Sequence, residues 1–300
     1  MTDRGQLTLI DAHTHTQPSL EATTAFMANL GMPAAGEGTT DELVSGMDAN
    51  NIAWTMIVPW LPAQDFVAEA VAAGTDRDLA TEQVLQRWHD LNSWAASSAQ
   101  RQPDRLKSIV GLDPVLMSTE FIESEVRTQL AAGASGLKVA PMFIGVPADD
   151  EKMEIVWRLA VQNDVPVLSE SGALGYGEHG AWGHPRNFET VLRSYPTLRL
   201  QLAHLGQGAE DDMAKLVQLS DTIITDTALR LGGMGDDGPD PVEFAELIRR
   251  IGTDKVAFGT NYPIVDQARY AQALRDLPLS DAELQLVGHD NAARLWRSSN

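Results

Sequence analysis

Leu7-Thr8-Leu9-Ile10-Asp11-Ala12-His13-Thr14-His15 is the stretch on which the reading of the fold turns. Its apolar start predicts a short buried strand. Residues two apart in an extended chain point to the same side, so His13 and His15 can converge just past the strand end. Two imidazoles at the end of an element suit a divalent metal. The plainer alternative is a polar surface turn holding two histidines, and the rest of the chain weighs against it.

Short runs rich in Val, Ile and Leu recur along the sequence. They predict strands over Leu7 to Ala12, Ala53 to Pro59, Lys107 to Leu112 and Gly136 to Ala140. Four more follow at Val165 to Ser169, Leu198 to Ala203, Thr222 to Asp226 and Lys255 to Gly259. Amphipathic stretches lie between them. Glu151 to Gln162 puts Met153, Val156, Trp157 and Ala160 on one helical stripe, and Pro241 to Ile251 does the same with Val242, Ala245, Ile248 and Ile251. Alternating apolar strands and helices predict a parallel sheet covered by helices, and eight such units predict a single α/β domain over 1–300, a (β/α)₈ TIM-type barrel. An open doubly wound sheet is the rival, but no Gly-rich phosphate turn follows the first strand. Insertions at about 16–41 and 61–104, the second carrying one long helix, fall on the side of the strands where barrel sites sit.

Composition narrows the function. The 300 residues are 43% hydrophobic and 21% charged, ordinary globular usage. A formal net charge of −20 makes nucleic acid and anionic membranes poor partners. With no cysteine, disulfides, thiolate metal sites and a Cys nucleophile are excluded. No apolar run reads as a signal peptide or a membrane span, so a cytoplasmic protein with a small-molecule substrate is expected.

The ends of the eight strands carry the chemistry. They reach His13 and His15, Asp113, Lys138, Glu170, His204, Asp226 and Asn261. In a barrel these ends form one ring around a shared mouth. Isolated polar residues capping strands would explain one or two of them; three His, one Glu and one Asp are a harder coincidence. Trp60 and Trp182 fall at the same mouth and could line an apolar pocket.

Taken in order, Asp11-Ala12-His13-Thr14-His15, Gly136-Leu137-Lys138, His184-Pro185, Leu202-Ala203-His204-Leu205-Gly206 and Phe258-Gly259-Thr260-Asn261-Tyr262-Pro263 resemble the amidohydrolase superfamily, closest to its branch of decarboxylases acting on aromatic acids. The resemblance runs from Ile10 to about Leu295. It implies a barrel with one or two divalent metals at the mouth. His13, His15 and His204 resemble family metal ligands, and His184 a residue near the substrate. Two positions depart from the pattern. Glu170 stands where the fifth strand of the family ends in a metal-binding His. Asn261 stands where the eighth ends in an Asp that accepts a proton from metal-bound water. An Asn carbonyl can ligate but takes up no proton near neutral pH. Asp226 is the nearest replacement by strand order.

The expected ligand set is therefore His13, His15, Glu170 and His204, with Asp226, Asn261 and Lys138 as catalytic candidates and His184, Trp60 and Trp182 against the substrate. Lys138 is read first as part of an ion pair in the mouth; the resemblance adds a carboxylated ligand or a substrate-carboxylate contact. His179 is expected in solvent, and His89 and His289 in surface or packing roles. Carboxylate-plus-His ligands suit iron or manganese as well as zinc. The chain also resembles a divergent branch of the superfamily, implied to be non-haem di-iron monooxygenases of platensimycin-type diterpenoid pathways. The leading expectation is accordingly an O₂-dependent di-iron monooxygenase hydroxylating an apolar molecule. A zinc- or manganese-dependent hydrolase or decarboxylase comes next, and a binding protein with a relic site third. Relatives are often dimers, which makes a homodimer the expectation by analogy.

Overall fold

The computed structural model describes residues 4, 7–173, 181–233 and 238–297. Nine parallel strand segments run in chain order: β1 (Leu9–Thr14), β2 (Ile52–Ile57), β3 (Leu106–Ser108), β4 (Val110–Gly111), β5 (Leu137–Val139), β6 (Val167–Ser169), β7 (Leu200–Leu202), β8 (Ile223–Asp226) and β9 (Val256–Ala257). They pair as β1-β2-β3 and as β4 through β9. β3 and β4 are one stave interrupted at Ile109. Ile109 N donates to Ile57 O (3.3 Å) on one side and Val110 N to Gly136 O (2.8 Å) on the other, so the ladder continues across the break. The first and last staves join as well. Ala12 N donates to Phe258 O (2.9 Å), Asn261 N to His13 O (2.8 Å), and Thr14 bridges in parallel to Tyr262. The eight staves thus close into a (β/α)₈ barrel, each one lying within or beside its expected stretch.

Two apolar layers result. Ile10, Ala12, Met56, Ile109, Leu168 and Ile224 fill the barrel interior together with Ala292, Leu295 and Trp296, so the last helix (Asn291–Leu295) plugs the bottom. Leu9, Ile57, Val110, Val167, Leu200 and Val256 face outward against the helices. Single-face patterning explains those helices. In Glu154–Gln162 the buried residues are Val156, Trp157, Leu159 and Ala160, and Met153 is buried in the one-turn segment just before it. Pro241–Ile251 starts at an Asp240 cap with Pro at its first position and buries Phe244, Ala245, Ile248 and Ile251. Val242, expected on that stripe, is instead 55% exposed, because Phe244 takes the inward position in the first turn.

The insertions differ in detail from expectation. Residues 16–41 carry α1 (Leu20–Asn29), capped by Ser19, and enter α2 (Thr40–Ala49). Residues 61–104 hold two helices rather than one, α3 (Ala63–Ala72) and α4 (Arg77–Arg101), because Gly74 and an Asp76 cap end one helix and start the next. Among the described residues no helix is long and apolar enough to cross a membrane.

The interrupted stave is held from outside. Asn92 of α4 donates to Gly111 O (3.1 Å) and accepts from Gly111 N (2.8 Å), replacing a strand neighbour. Its Nδ2 also reaches Glu125 of the next helix (Thr119–Ala131), whose other oxygen lies 2.8 Å from His89 Nδ1. A side chain at Gly111 has no room, since a Cβ there would come 2.3 Å from the Trp88 ring. Asn92→Ala leaves both Gly111 backbone groups unpaired in a buried place, and the expected loss is about 2–4 kcal/mol of unfolding free energy in urea titration.

Candidate metal centre at the barrel mouth

Period-two alternation alone would not aim β1 correctly. Ile10 and Ala12 face the interior, so strict alternation would send His13 outward. Between Asp11 and Thr14 the strand advances three residues while β2 advances from Thr55 to Ile57. This β-bulge inserts one residue and turns both His13 and His15 into the mouth. Asp11 is left on the outer side, accepting from Thr260 N (3.0 Å), Thr260 Oγ1 (2.7 Å) and Gln267 Nε2 (3.0 Å), which locks β1 to the last stave. Burial pushes its carboxyl up to about 6, against the pull of those donors.

The three mouth histidines share one arrangement. His15 Nδ1 lies 2.9 Å from Val58 O, and His204 Nδ1 lies 2.9 Å from Ala228 O. A backbone carbonyl only accepts, so each Nδ1 carries the proton and each Nε2 keeps its lone pair. His13 Nδ1 lies 3.0 Å from Asp226 Oδ2, which fixes the same tautomer, and its buried Nε2 has no partner. Burial lowers all three imidazoles, His204 to about 3 and His15 well below the ordinary range, so they are neutral near pH 7. Neutral imidazoles with Nδ1 held from behind and Nε2 bare are the ligand form a divalent cation requires. The ring centroids of His15 and His204 lie 5.0 and 5.4 Å from that of His13. His13, His204 and Asp226 can each bring one ligand atom within 4.8 Å of the others.

The remaining candidates take different places. Asp226 is fully engaged. Oδ2 accepts from His13 Nδ1 (3.0 Å) and Gln201 Nε2 (2.7 Å), and Oδ1 from His204 N (3.0 Å) and Ala228 N (3.1 Å). Burial raises its carboxyl, but the pull of His13 and its hydrogen bond, with help from His204, outweighs this and holds it far below the usual range. A carboxylate with four donors orients His13 and is a poor proton acceptor, which corrects the general-base role expected of it. Glu170 follows β6 and lines the cavity, with Oε2 buried and unpartnered; like His15, it lies outside the tight set formed by His13, His204 and Asp226. Lys138 of β5 lines the same cavity. Burial raises Glu170 and lowers Lys138, and each one's charge opposes the other's shift. Asn261 holds a left-handed backbone (φ 73°) and turns an unpartnered Oδ1 toward the cavity it lines.

Phe26 of α1, Leu30 just past its end, Trp60, Phe143, Leu229 and Ile264 form the apolar wall of a half-open cavity of about 120 Å³. Trp60 meets Phe143 edge to face at 4.7 Å, as expected of a pocket aromatic. Trp182 and His184 are not among the described residues that line it. Trp182 packs over Gly145, and Gly183 instead lies against Glu170. His184 caps the turn Pro185–Phe188, and its Nε2 sits 3.6 Å from Asp212. His89 and His289 pair with Glu125 and Asp290 away from the mouth. His179 lies outside the described residues. Phe26, Phe143 and Gln201 carry no motif, and only the three-dimensional packing brings them to the site or to its Asp226 support.

A profile of the amidohydrolase family matches residues 10–298, and the chain belongs to that family. No curated protein matches the chain in sequence. An uncharacterised TIM-barrel protein from Bordetella bronchiseptica superposes with TM-score 0.73 at 17% identity, covering 96% of this chain and 98% of that one. Dihydroxybenzoic acid decarboxylase from a Polaromonas species, solved with manganese and the inhibitor 2-nitroresorcinol, gives 0.68 at 18% identity over 96% of both chains. 5-Carboxyvanillate decarboxylase from Novosphingobium aromaticivorans, complexed with manganese and 4-hydroxy-3-methoxy-5-nitrobenzoic acid, gives 0.63 at 16% identity over 99% and 97%. These likenesses establish the barrel.

Asp113, just past the third stave, lines a small neighbouring pocket with Trp60 and Lys138 and accepts from Val115 N (3.0 Å), Leu116 N (3.1 Å) and Gln64 Nε2 (3.2 Å). Burial raises its carboxyl from 3.8 to about 6. The folded state therefore holds this proton more tightly than the unfolded chain, and the stability it confers is lost as pH rises through that window. Asp113→Asn removes the titration. Relative to wild type the variant should gain about 1–3 kcal/mol between pH 4 and pH 7 in paired denaturant titrations.

Proposed function

We propose that this chain is a divalent-metal-dependent decarboxylase of small aromatic carboxylic acids. The observation that carries the reading is the division of the cavity. Three neutral imidazoles present bare Nε2 atoms, one carboxyl with an unpartnered oxygen and one ammonium stand beside them, and aromatic side chains wall the rest. Buried polar atoms without partners cost about 1–3 kcal/mol each unless something fills them, which argues against a relic site. His13, His15 and His204 would hold the cation, with Asn261 Oδ1 beside them. When bound, the cation supplies fixed positive charge that orients an anionic substrate.

The loss of the family Asp favours decarboxylation over hydrolysis. Hydrolysis needs a base beside the attacking water; Asn261 is none, Asp226 is occupied by four donors, and Glu170, the remaining carboxyl, stands outside the tight set of ligand atoms. Loss of CO₂ from an aryl carboxylate needs no nucleophilic water. The ring–carboxyl bond breaks, its electron pair stays with the ring, and one proton is added at that ring carbon. Glu170 is the carboxyl with a free oxygen in the cavity and is placed to give that proton. Lys138 can hold an anionic group of the substrate, and Phe26, Trp60 and Phe143 contact the ring and exclude water. The decarboxylases among the similar structures, two of them solved with manganese and nitro-aromatic ligands, support this reading.

The di-iron monooxygenase expectation gains no such support. The metal-bound structures similar to this chain hold manganese and are decarboxylases.

Elemental analysis of protein purified without chelator should find manganese or zinc at about one per chain. Hydroxybenzoates should release CO₂ equally well without oxygen, and chelation should stop the release until metal is restored. Glu170→Gln should keep the metal and lower kcat roughly 10²–10⁴-fold. Iron at two per chain with an oxygen-dependent hydroxylated product would overturn the reading.

A further inference from the structure

A chain of buried hydrogen bonds runs from the bottom of the barrel to its mouth. Trp296, just past the plugging helix, donates Nε1–H to Gln201 Oε1 at 2.6 Å. Gln201, on β7, donates Nε2–H to Asp226 Oδ2 at 2.7 Å and to Ala12 O at 3.2 Å. Asp226 Oδ2 takes the Nδ1 proton of His13 at 3.0 Å. All four residues are at most 1% exposed.

Direction along this chain is forced. An indole N–H can only donate, so the oxygen of the Gln201 amide must face Trp296. Its NH₂ then faces Asp226 and the Ala12 carbonyl, both acceptors. A flipped amide would set oxygen against carboxylate and NH₂ against indole N–H, unfavourable at both ends. With one donor supplied from below, Asp226 keeps its charge and takes the second from His13, which leaves Nε2 bare toward the cavity.

We infer that Trp296 and Gln201 are positioning residues of the mouth centre: the indole N–H at the closed end of the barrel sets the Gln201 amide, and through Asp226 the tautomer and direction of the His13 ligand. This rests on the metal-dependent reading above. It also gives the carboxy-terminal plug a part in the site beyond covering apolar surface.

Two measurements test it. In metal-free wild-type protein, nitrogen NMR of the imidazoles should show His13 protonated at Nδ1 and bare at Nε2; an Nε2–H tautomer would overturn the inference, whether or not any variant folds. Manganese(II) affinity, by competition with a chelator, forms the second. Trp296→Phe keeps the ring and deletes only the donor, and should weaken binding roughly 3–10-fold; Gln201→Leu should weaken it roughly 10–100-fold. The double variant should bind no more weakly than Gln201→Leu alone, since both changes break one chain. Trp54→Phe, in the same lower core but outside the chain, should leave affinity unchanged. Wild-type affinity in a folded Trp296→Phe protein, or additive losses, would refute the inference while leaving the metal-dependent reading intact. Failure of wild type to bind any divalent cation would refute that reading, and the NMR tautomer would still decide the hydrogen-bond chain.

Discussion

The hydrogen bond between His13 and Asp226 is the constraint on which the mouth depends. It spans 213 positions of sequence and joins the first stave to the seventh. Asp226 is buried with four donors around it, an arrangement that only a closed barrel can assemble. Two come from side chains below and beside it, and two from backbone N–H groups of His204 and Ala228. A buried carboxylate so satisfied resists protonation and movement alike. The tautomer of His13 and the turn that carries His204 are thereby fixed by a single side chain.

Much of this was legible in the sequence for a specific reason. Buried parallel strands must be apolar and short, and a barrel must bring their ends together, so His13, His15, Glu170 and His204 could be assigned to one mouth from spacing alone. The facing of His13 was reached by an incomplete argument, because alternation from Ile10 predicts the wrong side and the bulge that repairs it leaves no mark in residue type. Trp182 and His184 illustrate the opposite failure. Both follow the fifth stave closely in sequence, yet the glycine between them, rather than the indole or imidazole, approaches Glu170. Gln201 and Trp296 read as ordinary core, because an amide on a strand and an indole just past a terminal helix show no role until their partners are known.

Charge clarifies what the mouth can receive. The family pattern ends the fifth stave in His and the eighth in Asp; this chain has Glu170 and Asn261. Of the two carboxyl groups there, Asp226 lies behind the His13 imidazole and Glu170 on the wall shared with Lys138. With Asp226 at −1 and Lys138 at +1, the buried groups sum to zero when Glu170 is protonated and to −1 when it is not. A divalent cation makes the centre positive in both cases. The protein as a whole carries −20, so an anion is repelled at long range, but that field is screened beyond about 8 Å at physiological ionic strength. A small aromatic anion therefore meets attraction only once it is inside the aromatic wall, where contact with Phe26, Trp60 and Phe143 adds to it.

Backbone strain marks the same place independently. His204, Leu205, Leu229 and Asn261 all hold φ between 56° and 73°, and none is glycine. Left-handed backbone at a residue with a side chain costs about 1–3 kcal/mol and persists only where surroundings over-determine it. The surroundings are identifiable: His204 N is held by Asp226, Leu205 N by Thr225 Oγ1 (3.1 Å), and Asn261 N by His13 O. At His204 and Asn261 the strained residue carries a side chain that lines the cavity. A relaxed backbone would carry these groups along the stave and out of the mouth. The direction of His204 and Asn261 is thus set by the main chain, whereas that of His13 is set by a bulge and by Asp226. These devices are coupled, because Asp226 holds both the His13 ring and His204 N, and His13 O in turn holds Asn261 N, so the strained turns and the bulge keep one another in place.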